Sequence, residues 1–272
     1  IETVQDAGWR GVLKRLEYRR LFLKWAGRIE GVLAIGHRTP AWVVARGLAA
    51  DHVVPFAYFL PRETKLMECT NIRSGPFRFA FIGRFIRLKR LDLLILALAT
   101  LKRSDLELVV IGSGPLEVEL RDSANAALVG RVHWIGRLQL RDVPRALAET
   151  DCLVLPSRYD GWGAVVSEAL MVGTPAICSD RCGAAGAVQA SGHGGVFCSG
   201  DVSSLRDQIA RMLDRGRLSP AERGGLAKWA ECLGSDTGAR YLRAVLDAQQ
   251  QQIKRPMPPW DKANREVRKC SV

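Results

Sequence analysis

An apolar, strand-like run is followed by the stretch Pro156-Ser-Arg-Tyr-Asp-Gly-Trp-Gly-Ala-Val-Val-Ser-Glu-Ala-Leu-Met-Val-Gly-Thr-Pro175, which contains the start of a predicted helix. Gly161 and Gly163 allow the backbone to approach a ligand closely. A helix that begins near Ala164 directs its free N–H groups and the positive end of its dipole at this turn. Asp160 and Glu168 lie on either side, and two carboxylates disfavour a bare phosphate. The stretch therefore indicates a ligand with phosphate at one end and hydroxyl groups at the other, such as a nucleotide-sugar.

Apolar, strand-like runs alternate with helix-like segments from Phe77 onward. Unbroken apolar strands of this kind predict an α/β fold, a Rossmann-like parallel sheet with helices on both faces. Ligands of such sheets bind at the carboxyl ends of the strands, and glycine clusters follow several of the predicted strands. The predicted strands are Phe77–Ile82, Leu106–Ile111, Val132–Ile135, Cys152–Leu155, Ala176–Cys178 and Val196–Cys198, and the predicted helices between them are Leu91–Lys102, Leu116–Leu128, Val143–Thr150 and Ala164–Val172.

The residues before this alternation predict a single strand–helix–strand unit with a basic helix in front of it. Residues 9–27 combine apolar and basic side chains at roughly helical spacing. This pattern favours a helix packed on a larger domain, and a helix lying on a membrane surface is the alternative. The unit itself is predicted as a strand at Gly31–Ile35, a helix at Pro40–Arg46 and a strand at His52–Leu60.

The composition points to an anionic partner. The chain of 272 residues has 40 basic and 28 acidic side chains, a net charge of +12. This charge favours an anionic partner such as a nucleotide, a polyanion or an acidic membrane face, and a merely solvated basic surface is an equally consistent alternative. No nucleic acid is expected, because basic and aromatic residues are not interleaved on any one element. Seven scattered cysteines without zinc spacing are typical of a reducing compartment, so we expect a cytoplasmic protein.

Two strand ends carry further candidate binding residues. Arg84 comes directly after Gly83 at the end of a predicted strand, with Lys89 shortly beyond. A guanidinium and an ammonium group there could clamp a diphosphate and stabilise it as a leaving group, although a solvated basic loop is the alternative. Gly112 and Gly114 form part of a dinucleotide fingerprint without its full spacing. They predict either a turn against which a nucleotide lies or a purely structural turn.

The two carboxylates of the opening stretch have distinct predicted roles. Glu168 lies about one turn inside the predicted helix, where it could accept hydrogen bonds from both hydroxyls of a ribose. Asp160 could hold hydroxyls of a sugar. The alternatives are an exposed helix residue and a simple turn former. The neighbouring residues predicted to bind the same substrate are Tyr159, Gly161, Trp162, Gly163, Ala164 and Val165.

From Phe77 to about Ala248 the chain resembles the family 4 retaining glycosyltransferases of the GT-B fold. The resemblance rests on Phe81-Ile-Gly-Arg84 with Lys89, Val110-Ile-Gly-Ser-Gly-Pro115, Val132-His-Trp-Ile-Gly136 and, most specifically, Leu155-Pro-Ser-Arg-Tyr-Asp-Gly-Trp-Gly-Ala-Val-Val-Ser-Glu-Ala-Leu170 with Gly173-Thr-Pro175. It implies that Arg84 and Lys89 grip the diphosphate, Glu168 holds the ribose and Asp160 contacts the donor sugar. The family normally has a glutamate in place of Asp160. The shorter side chain of aspartate is expected to affect contact with the donor sugar and not binding of the nucleotide.

The resemblance also implies two Rossmann-like domains, with the donor in the C-terminal one and the acceptor in the N-terminal one. The expected segments are a partial N-terminal, acceptor-side domain at 1–68, a linker at 69–76, a donor-binding domain at 77–225, C-terminal helices at 226–250 that close onto the N-terminal part, and a flexible basic tail at 251–272. Most of the N-terminal domain is therefore expected to be absent from this sequence.

The implied reaction is transfer of a sugar from a nucleoside-diphosphate sugar, such as a UDP-sugar, to an acceptor hydroxyl with retention. No D-x-D motif is present, so the transfer is expected to be metal-independent, with no cofactor besides the donor substrate. The expected acceptor is a saccharide or lipid-linked saccharide in cell-surface polysaccharide or glycolipid synthesis, at the inner membrane face. The alternatives are a non-catalytic nucleotide-sugar-binding module and a GT-B phosphorylase or epimerase.

Overall fold

Two parallel β-sheets organise the part of the chain that the computed structural model describes, which is Ile1, residues 8–61 and residues 74–261. The smaller sheet pairs β1 (Val32–Ile35) with β2 (Val53–Phe56). The larger sheet contains β3 (Phe77–Ile82), β4 (Leu106–Ile111), β5 (Val132–Gly136), β6 (Cys152–Leu155), β7 (Ala176–Ser179) and β8 (Gly194–Phe197). Its strand order is β5-β4-β3-β6-β7-β8, and every pairing is parallel.

Helices follow most of the strands and cover the larger sheet. They are α1 (Gly8–Trp25), α2 (Thr39–Val44), α3 (Leu91–Thr100), α4 (Glu117–Ala127), α5 (Val143–Ala148), α6 (Ala164–Met171), α7 (Ala185–Ser191), α8 (Val202–Arg215), α9 (Pro220–Trp229) and α10 (Ser235–Gln250). Within the described residues, none of these helices is long and apolar enough to cross a bilayer.

The larger sheet separates two hydrophobic layers because successive side chains of a strand point to opposite faces. Phe79 and Phe81 of β3 belong to the layer that α3, α4 and α8 complete. Ala80, between them in sequence, belongs to the layer formed with α5, α6, α7 and α9. Helices thus cover both faces of a parallel sheet, and the predicted α/β fold is confirmed.

Two strands differ from their predicted limits by more than one residue. The strand predicted at His52–Leu60 ends at Phe56, and Leu60 instead forms an isolated bridge with Gly234. The strand predicted at Val196–Cys198 begins at Gly194 and ends at Phe197. A Cβ atom on Gly194 would lie 2.2 Å from the carbonyl oxygen of Ala176, so only glycine allows β8 to approach β7 this closely.

The smaller sheet packs against the last long helix. The ring of Tyr241 in α10 stacks on Phe56 at 5.9 Å, and its hydroxyl group donates a hydrogen bond to the carbonyl of Pro55 at 3.1 Å. Val245 of α10 and Val54 of β2 are buried in the same small cluster. The chain therefore leaves the smaller sheet after β2, builds the larger sheet, and returns to the smaller sheet through α10.

Helix α1 buries one of its faces and exposes the opposite one. Phe22 is buried, and Tyr18 packs edge-on against Trp42 of α2 at 5.0 Å. The opposite face carries exposed apolar side chains at helical spacing, namely Trp9, Val12, Leu13, Leu16 and Leu23. Glu17 is the one acidic residue of this helix, which carries six Lys or Arg residues.

Residues 253–261, predicted to belong to a flexible tail, make specific contacts. The guanidinium group of Arg255 donates a hydrogen bond to the carbonyl of Val53. Trp260 contacts Phe59 with 6.4 Å between ring centroids. This part of the predicted tail therefore packs on the folded chain. Residues 262–272 and most of the predicted linker lie outside the described residues.

Candidate functional site

The strand order creates a crevice at the carboxyl ends of β3 and β6. The chain runs outward from β3 through β4 to β5 and then returns to the other side of β3 to form β6. Ligands of open α/β sheets bind where the strand order reverses in this way. The residues that follow these two strands, Gly83–Arg90 and Pro156–Gly163, form what we call the strand-end crevice.

An ion pair joins the two walls of the strand-end crevice. The ammonium group of Lys89 lies 2.5 Å from Oδ2 of Asp160, and the two side chains are 24% and 15% exposed. The backbone N–H of Arg158 donates to the carbonyl of Leu88 at 2.8 Å, directly beside this pair. The structure thus brings together a cation and an acid that are distant in sequence and were both predicted site residues.

The turn from Asp160 to Gly163 is held by the segment that follows β7. Asp160 donates its N–H to the carbonyl of Arg181 at 3.2 Å and accepts from the N–H of Gly183 at 3.0 Å. A Cβ atom on Gly183 would lie 2.0 Å from the carbonyl oxygen of Gly161. The position therefore requires glycine, and the turn has little freedom to move.

Helix α6 begins directly after this turn. Gly163 precedes its first residue with φ +86°, a left-handed conformation that favours glycine. A Cβ atom there would also lie 2.8 Å from Sγ of Cys182. Ala164 and Val165 form the half-buried first turn of the helix. Their position at the helix N-terminus, at the end of β6, is suited to a negatively charged or polar ligand group.

Glu168 contributes a half-buried carboxylate from the same helix. Within the described residues, its side chain makes no hydrogen bond or ion pair, and burial raises its pKa above the ordinary value. A buried carboxylate without a partner has a strong tendency to accept hydrogen bonds from a ligand. This environment fits the predicted role of Glu168 as an acceptor for ribose hydroxyls.

Arg84 differs from Lys89 in its surroundings. Its side chain is exposed and makes no hydrogen bond or ion pair with any other described residue. Of the two predicted diphosphate-binding cations, one is therefore already paired with an acid, while the other is available.

Gly112 and Gly114 are required by contacts within the protein. A Cβ atom on Gly112 would lie 1.9 Å from the carbonyl oxygen of Gly83, and one on Gly114 would lie 2.5 Å from that of Phe85. The N–H of Phe85 also donates to the carbonyl of Ser113 at 3.0 Å. Of the two predicted roles, the structural turn is present, and it positions the segment that carries Arg84.

Trp162 was predicted to bind substrate, but its side chain belongs to the core. The indole is 3% exposed, and its Nε1–H donates to Oγ of Ser167 at 2.9 Å. The side chain therefore helps to anchor the turn on α6 and does not line the open crevice. Tyr159 and Gly161, on either side of Asp160, are half-buried there.

The segment Cys182–Ala184 was not identified as part of the site from sequence. The N–H groups of Gly183 and Ala184 hold the turn in place, with Ala184 donating to the carbonyl of Trp162 at 2.8 Å, and the thiol of Cys182 donates to the same carbonyl at 3.0 Å. The signal was present, because Gly183 follows the predicted strand Ala176–Cys178 just as the other glycine clusters follow theirs. Among the described residues, no group of three or more His, Cys, Asp or Glu side chains forms a potential metal site.

Comparison with known proteins gives one family. The family described as "Glycosyl transferases group 1" matches residues 63–223. The chain is 27% identical over 236 residues to the lipopolysaccharide core biosynthesis mannosyltransferase LpsB of Rhizobium meliloti, covering 81% of this chain and 66% of that protein. It is 30% identical over 196 residues to glycogen synthase of Mycobacterium tuberculosis, covering 68% of this chain and 47% of that protein. The chain thus spans about half to two thirds of the length of these relatives.

Solved structures share the fold. The apo lipopolysaccharide outer core galactosyltransferase WaaB superposes with a TM-score of 0.70 at 20% identity, covering 81% of this chain and 62% of that one. HepE from Anabaena, in complex with UDP, superposes with a TM-score of 0.71 at 17% identity, covering 86% of this chain and 68% of that one. At these identities the likeness shows a common GT-B-type architecture.

Proposed function

This chain belongs to the group 1 glycosyl transferases, and on that premise we propose that it transfers a sugar from a nucleoside-diphosphate sugar to an acceptor hydroxyl with retention. The observation that carries the proposal is the Lys89–Asp160 pair of the strand-end crevice, with Arg84 in the same loop as Lys89 and Glu168 in the helix that follows the turn of Asp160. Two cations and two acids at one sheet edge match a ligand that has both a diphosphate and hydroxyl groups.

In this proposal the diphosphate binds between Arg84 and Lys89. Arginine can bind phosphate oxygens with two parallel hydrogen bonds, and lysine contributes a compact positive charge. Negative charge grows on the diphosphate as it leaves, so the two cations stabilise the transition state more than the ground state.

Binding of the diphosphate also changes the state of Asp160. Because Lys89 is paired with Asp160 in the ligand-free chain, phosphate oxygens compete with that carboxylate for the ammonium group. A carboxylate released from this pair can accept hydrogen bonds from hydroxyl groups of the donor sugar. Glu168, which makes no contact of this kind within the described residues, accepts from the ribose hydroxyls.

The proposed reaction needs no separate protein base. The bond between the anomeric carbon and the phosphate oxygen breaks, and the acceptor oxygen bonds to that carbon on the same face of the sugar. The proton of the acceptor hydroxyl passes to the departing phosphate oxygen. The protein's contribution is to hold the donor and to stabilise the charge of the leaving group.

Two similarities support the choice of substrates. HepE, one of the proteins that share the fold, was solved with UDP and with UDP-glucose. LpsB, one of the sequence relatives, is a mannosyltransferase of lipopolysaccharide core biosynthesis. We therefore propose a UDP-sugar or related donor and a saccharide or lipid-linked saccharide acceptor in cell-surface polysaccharide or glycolipid synthesis.

We also propose that α1 contacts an anionic membrane on the cytoplasmic side. Its exposed apolar face, from Trp9 to Leu23, lies next to Arg19, Arg20 and Lys24. This combination of an apolar face and cationic flanks is typical of helices that lie in a membrane interface. Co-sedimentation with vesicles containing phosphatidylglycerol at low salt tests it, and failure to bind such vesicles would exclude this contact.

The function itself is tested by binding and turnover measured on the same chain. A thermal-shift screen of UDP-, GDP- and ADP-sugars identifies the nucleotide, and Glu168→Ala is expected to weaken the shift. Formation of a glycoside from the donor and an acceptor then distinguishes a transferase from a module that only binds. A chain that bound none of these nucleotides would contradict the proposal.

A further inference from the structure

A second cavity, of about 490 Å³, opens beside the Asp160–Gly163 turn, and we call it the aromatic cleft. Its walls come from the ends of β1 and β2, from the segment Gly183–Ala190 and from the residues around Trp260. Lys89, Asp160 and Glu168 are not among the residues that line it. The volume lies within the range of roughly 300–1,000 Å³ found for small-molecule sites. The chain therefore has room for a second ligand next to the proposed donor site.

The aromatic cleft and the strand-end crevice share a wall. Gly183 lines the cleft, and its N–H donates to the carbonyl of Asp160 at 3.0 Å. Trp162 also lines the cleft, two residues after the acid of the crevice. The N–H of His37 donates to the carbonyl of Gly183 at 2.8 Å, which ties the smaller sheet to the same wall. A ligand in the cleft would thus be separated from a donor by a single turn of backbone.

The lining of the aromatic cleft combines flat rings with hydrogen-bonding groups. Phe56 and Trp260 supply half-buried rings, and the centroid of the buried Trp162 indole lies 6.3 Å from that of Trp260. The polar side chains are those of His37, Gln189 and Asp261. These three make no hydrogen bond or ion pair with another described residue. They provide both donors and acceptors for a ligand.

This chemistry favours a neutral sugar over other ligands. A sugar ring has apolar C–H faces that pack on aromatic rings and hydroxyl groups at its edge that need hydrogen-bond partners. A lipid chain would leave the polar side chains of the cleft without partners. A second phosphate group would meet the carboxylate of Asp261, and among the described residues neither Lys nor Arg lines the cleft.

We propose that the aromatic cleft binds a neutral sugar residue of the acceptor, with Gln189 and Asp261 bonding its hydroxyls and Trp260 packing on its face. This inference rests on the proposed function, since it assigns the acceptor of the same reaction. The acceptor would then extend from the cleft past the turn that carries Asp160, so that its reacting hydroxyl meets the donor. The C-terminal residues around Trp260 thereby become part of the substrate site.

Saturation-transfer NMR on the full chain tests the assignment. The probes are the methyl α-glycosides of glucose, mannose and galactose, each added to protein that has been saturated with UDP. We expect at least one glycoside to bind. Gln189→Ala and Asp261→Asn should each weaken that binding by about threefold to tenfold, the effect of one lost hydrogen bond. Gln250→Ala, an exposed glutamine on α10, is the matched control and should bind as the parent chain does.

The affinity for UDP, measured by calorimetry, separates this inference from the proposed function. UDP binding should be the same in the parent chain and in all three variants. If UDP binds but none of the glycosides does, or if Gln189→Ala and Asp261→Asn bind them unchanged, the acceptor assignment is wrong. Displacement of the glycoside by UDP-glucose but not by UDP would also overturn it, because the cleft would then hold the donor sugar. Failure of UDP itself to bind would instead contradict the proposed function.

Discussion

The ammonium group of Lys89 and the carboxylate of Asp160 meet at 2.5 Å across the gap between the ends of β3 and β6. The two residues belong to different walls of the strand-end crevice, and their pairing occupies the position that a diphosphate is proposed to take. In the proposed reaction, binding of the diphosphate is therefore an exchange of partners for Lys89.

Replacing Asp160 should affect nucleotide binding and sugar transfer in opposite directions. Asp160→Asn removes the competitor for Lys89, so the affinity for UDP should rise about twofold to fivefold, which corresponds to the ~0.2–1 kcal/mol of a partly exposed ion pair. Transfer from a UDP-sugar should fall by about tenfold or more, because a charged hydrogen bond to the sugar is lost.

Calorimetry and initial-rate measurements check this prediction. Asp122→Asn, at an exposed position on α4, is the control and should leave both quantities unchanged. A weaker affinity of Asp160→Asn for UDP would show that Asp160 does not compete for Lys89.

The two cations should differ in their effect on stability. Arg84→Ala is expected to weaken UDP binding by about tenfold to a hundredfold, which is the effect of losing a hydrogen bond to a charged group. It should not change Tm, because the side chain of Arg84 is exposed and has no partner among the described residues. Lys89→Ala should weaken UDP binding similarly and also lower Tm, because it leaves the half-buried Asp160 unpaired. Thermal melts with and without UDP measure both effects, with Lys228→Ala as control. Equal Tm losses in the two variants would contradict the difference in their surroundings.

Glu168 should make stability and binding respond to pH in opposite ways. Burial raises the pKa of Glu168 in the folded state. The protonated side chain therefore stabilises the fold at pH values below the ordinary pKa of a glutamate, and this stabilisation is lost as the pH rises through the raised pKa. Glu168→Gln should therefore melt at a higher temperature than the parent chain near neutral pH, and the difference should vanish at about pH 4. UDP affinity of the parent chain should fall on acidification through the same window.

Melting curves and UDP titrations from about pH 4 to about pH 8 follow both responses. The matched control is Glu119→Gln on α4. A Tm difference between Glu168→Gln and the parent chain that does not vary with pH would exclude the titration of Glu168 as its cause.

The turn should not tolerate a side chain at Gly183. In Gly183→Ala the new Cβ atom would meet the carbonyl oxygen of Gly161 at 2.0 Å, so we expect a loss of roughly 1–3 kcal/mol in the free energy of unfolding and weaker donor binding. Gly224→Ala is the contrasting variant, because its Cβ atom meets nothing within 4 Å in the exposed helix α9. That variant should gain about 0.5–1 kcal/mol. Denaturant unfolding measures both, and an unaffected Gly183→Ala would show that the turn can rearrange.

The sequence predicted the centre of the larger sheet well because β6 is an unbroken apolar run and β3 and β4 are each interrupted by a single charged residue, Arg78 and Glu107. It predicted the limits of β8 poorly, since Gly194 and Gly195 lack β-propensity. The close approach to β7 requires glycine at 194, whereas a Cβ atom on Gly195 would meet the side chain of Gln208 in α8. Helix α7 was not predicted, as its short run of alanine and glycine has no amphipathic period. Its position is set by tertiary contacts with β7 and β8, which no local pattern contains.

The candidate site was predicted in part. Strand ends and the family resemblance identified Lys89, Asp160 and Glu168 as site residues, yet the contact between Lys89 and Asp160 depends on strand order, which local patterns do not specify. Trp162 was predicted to bind substrate because it lies between two glycines, but local patterns do not show that its indole is buried and hydrogen-bonded to Ser167. The aromatic cleft was not foreseen, because its walls come from three distant parts of the chain.

The bridge between Leu60 and Gly234 has a mechanical consequence. The chain crosses between the two sheets twice, after β2 and before α10. At this bridge the two crossings are hydrogen-bonded to each other. The N–H of Leu60 donates to the carbonyl of Leu233 at 3.1 Å, and the N–H of Ser235 donates to the carbonyl of Leu60 at 2.9 Å. Two crossings joined in this way act as one pivot. A rotation of one sheet relative to the other would therefore move Leu60 least. The far side of the gap between the sheets would open and close most.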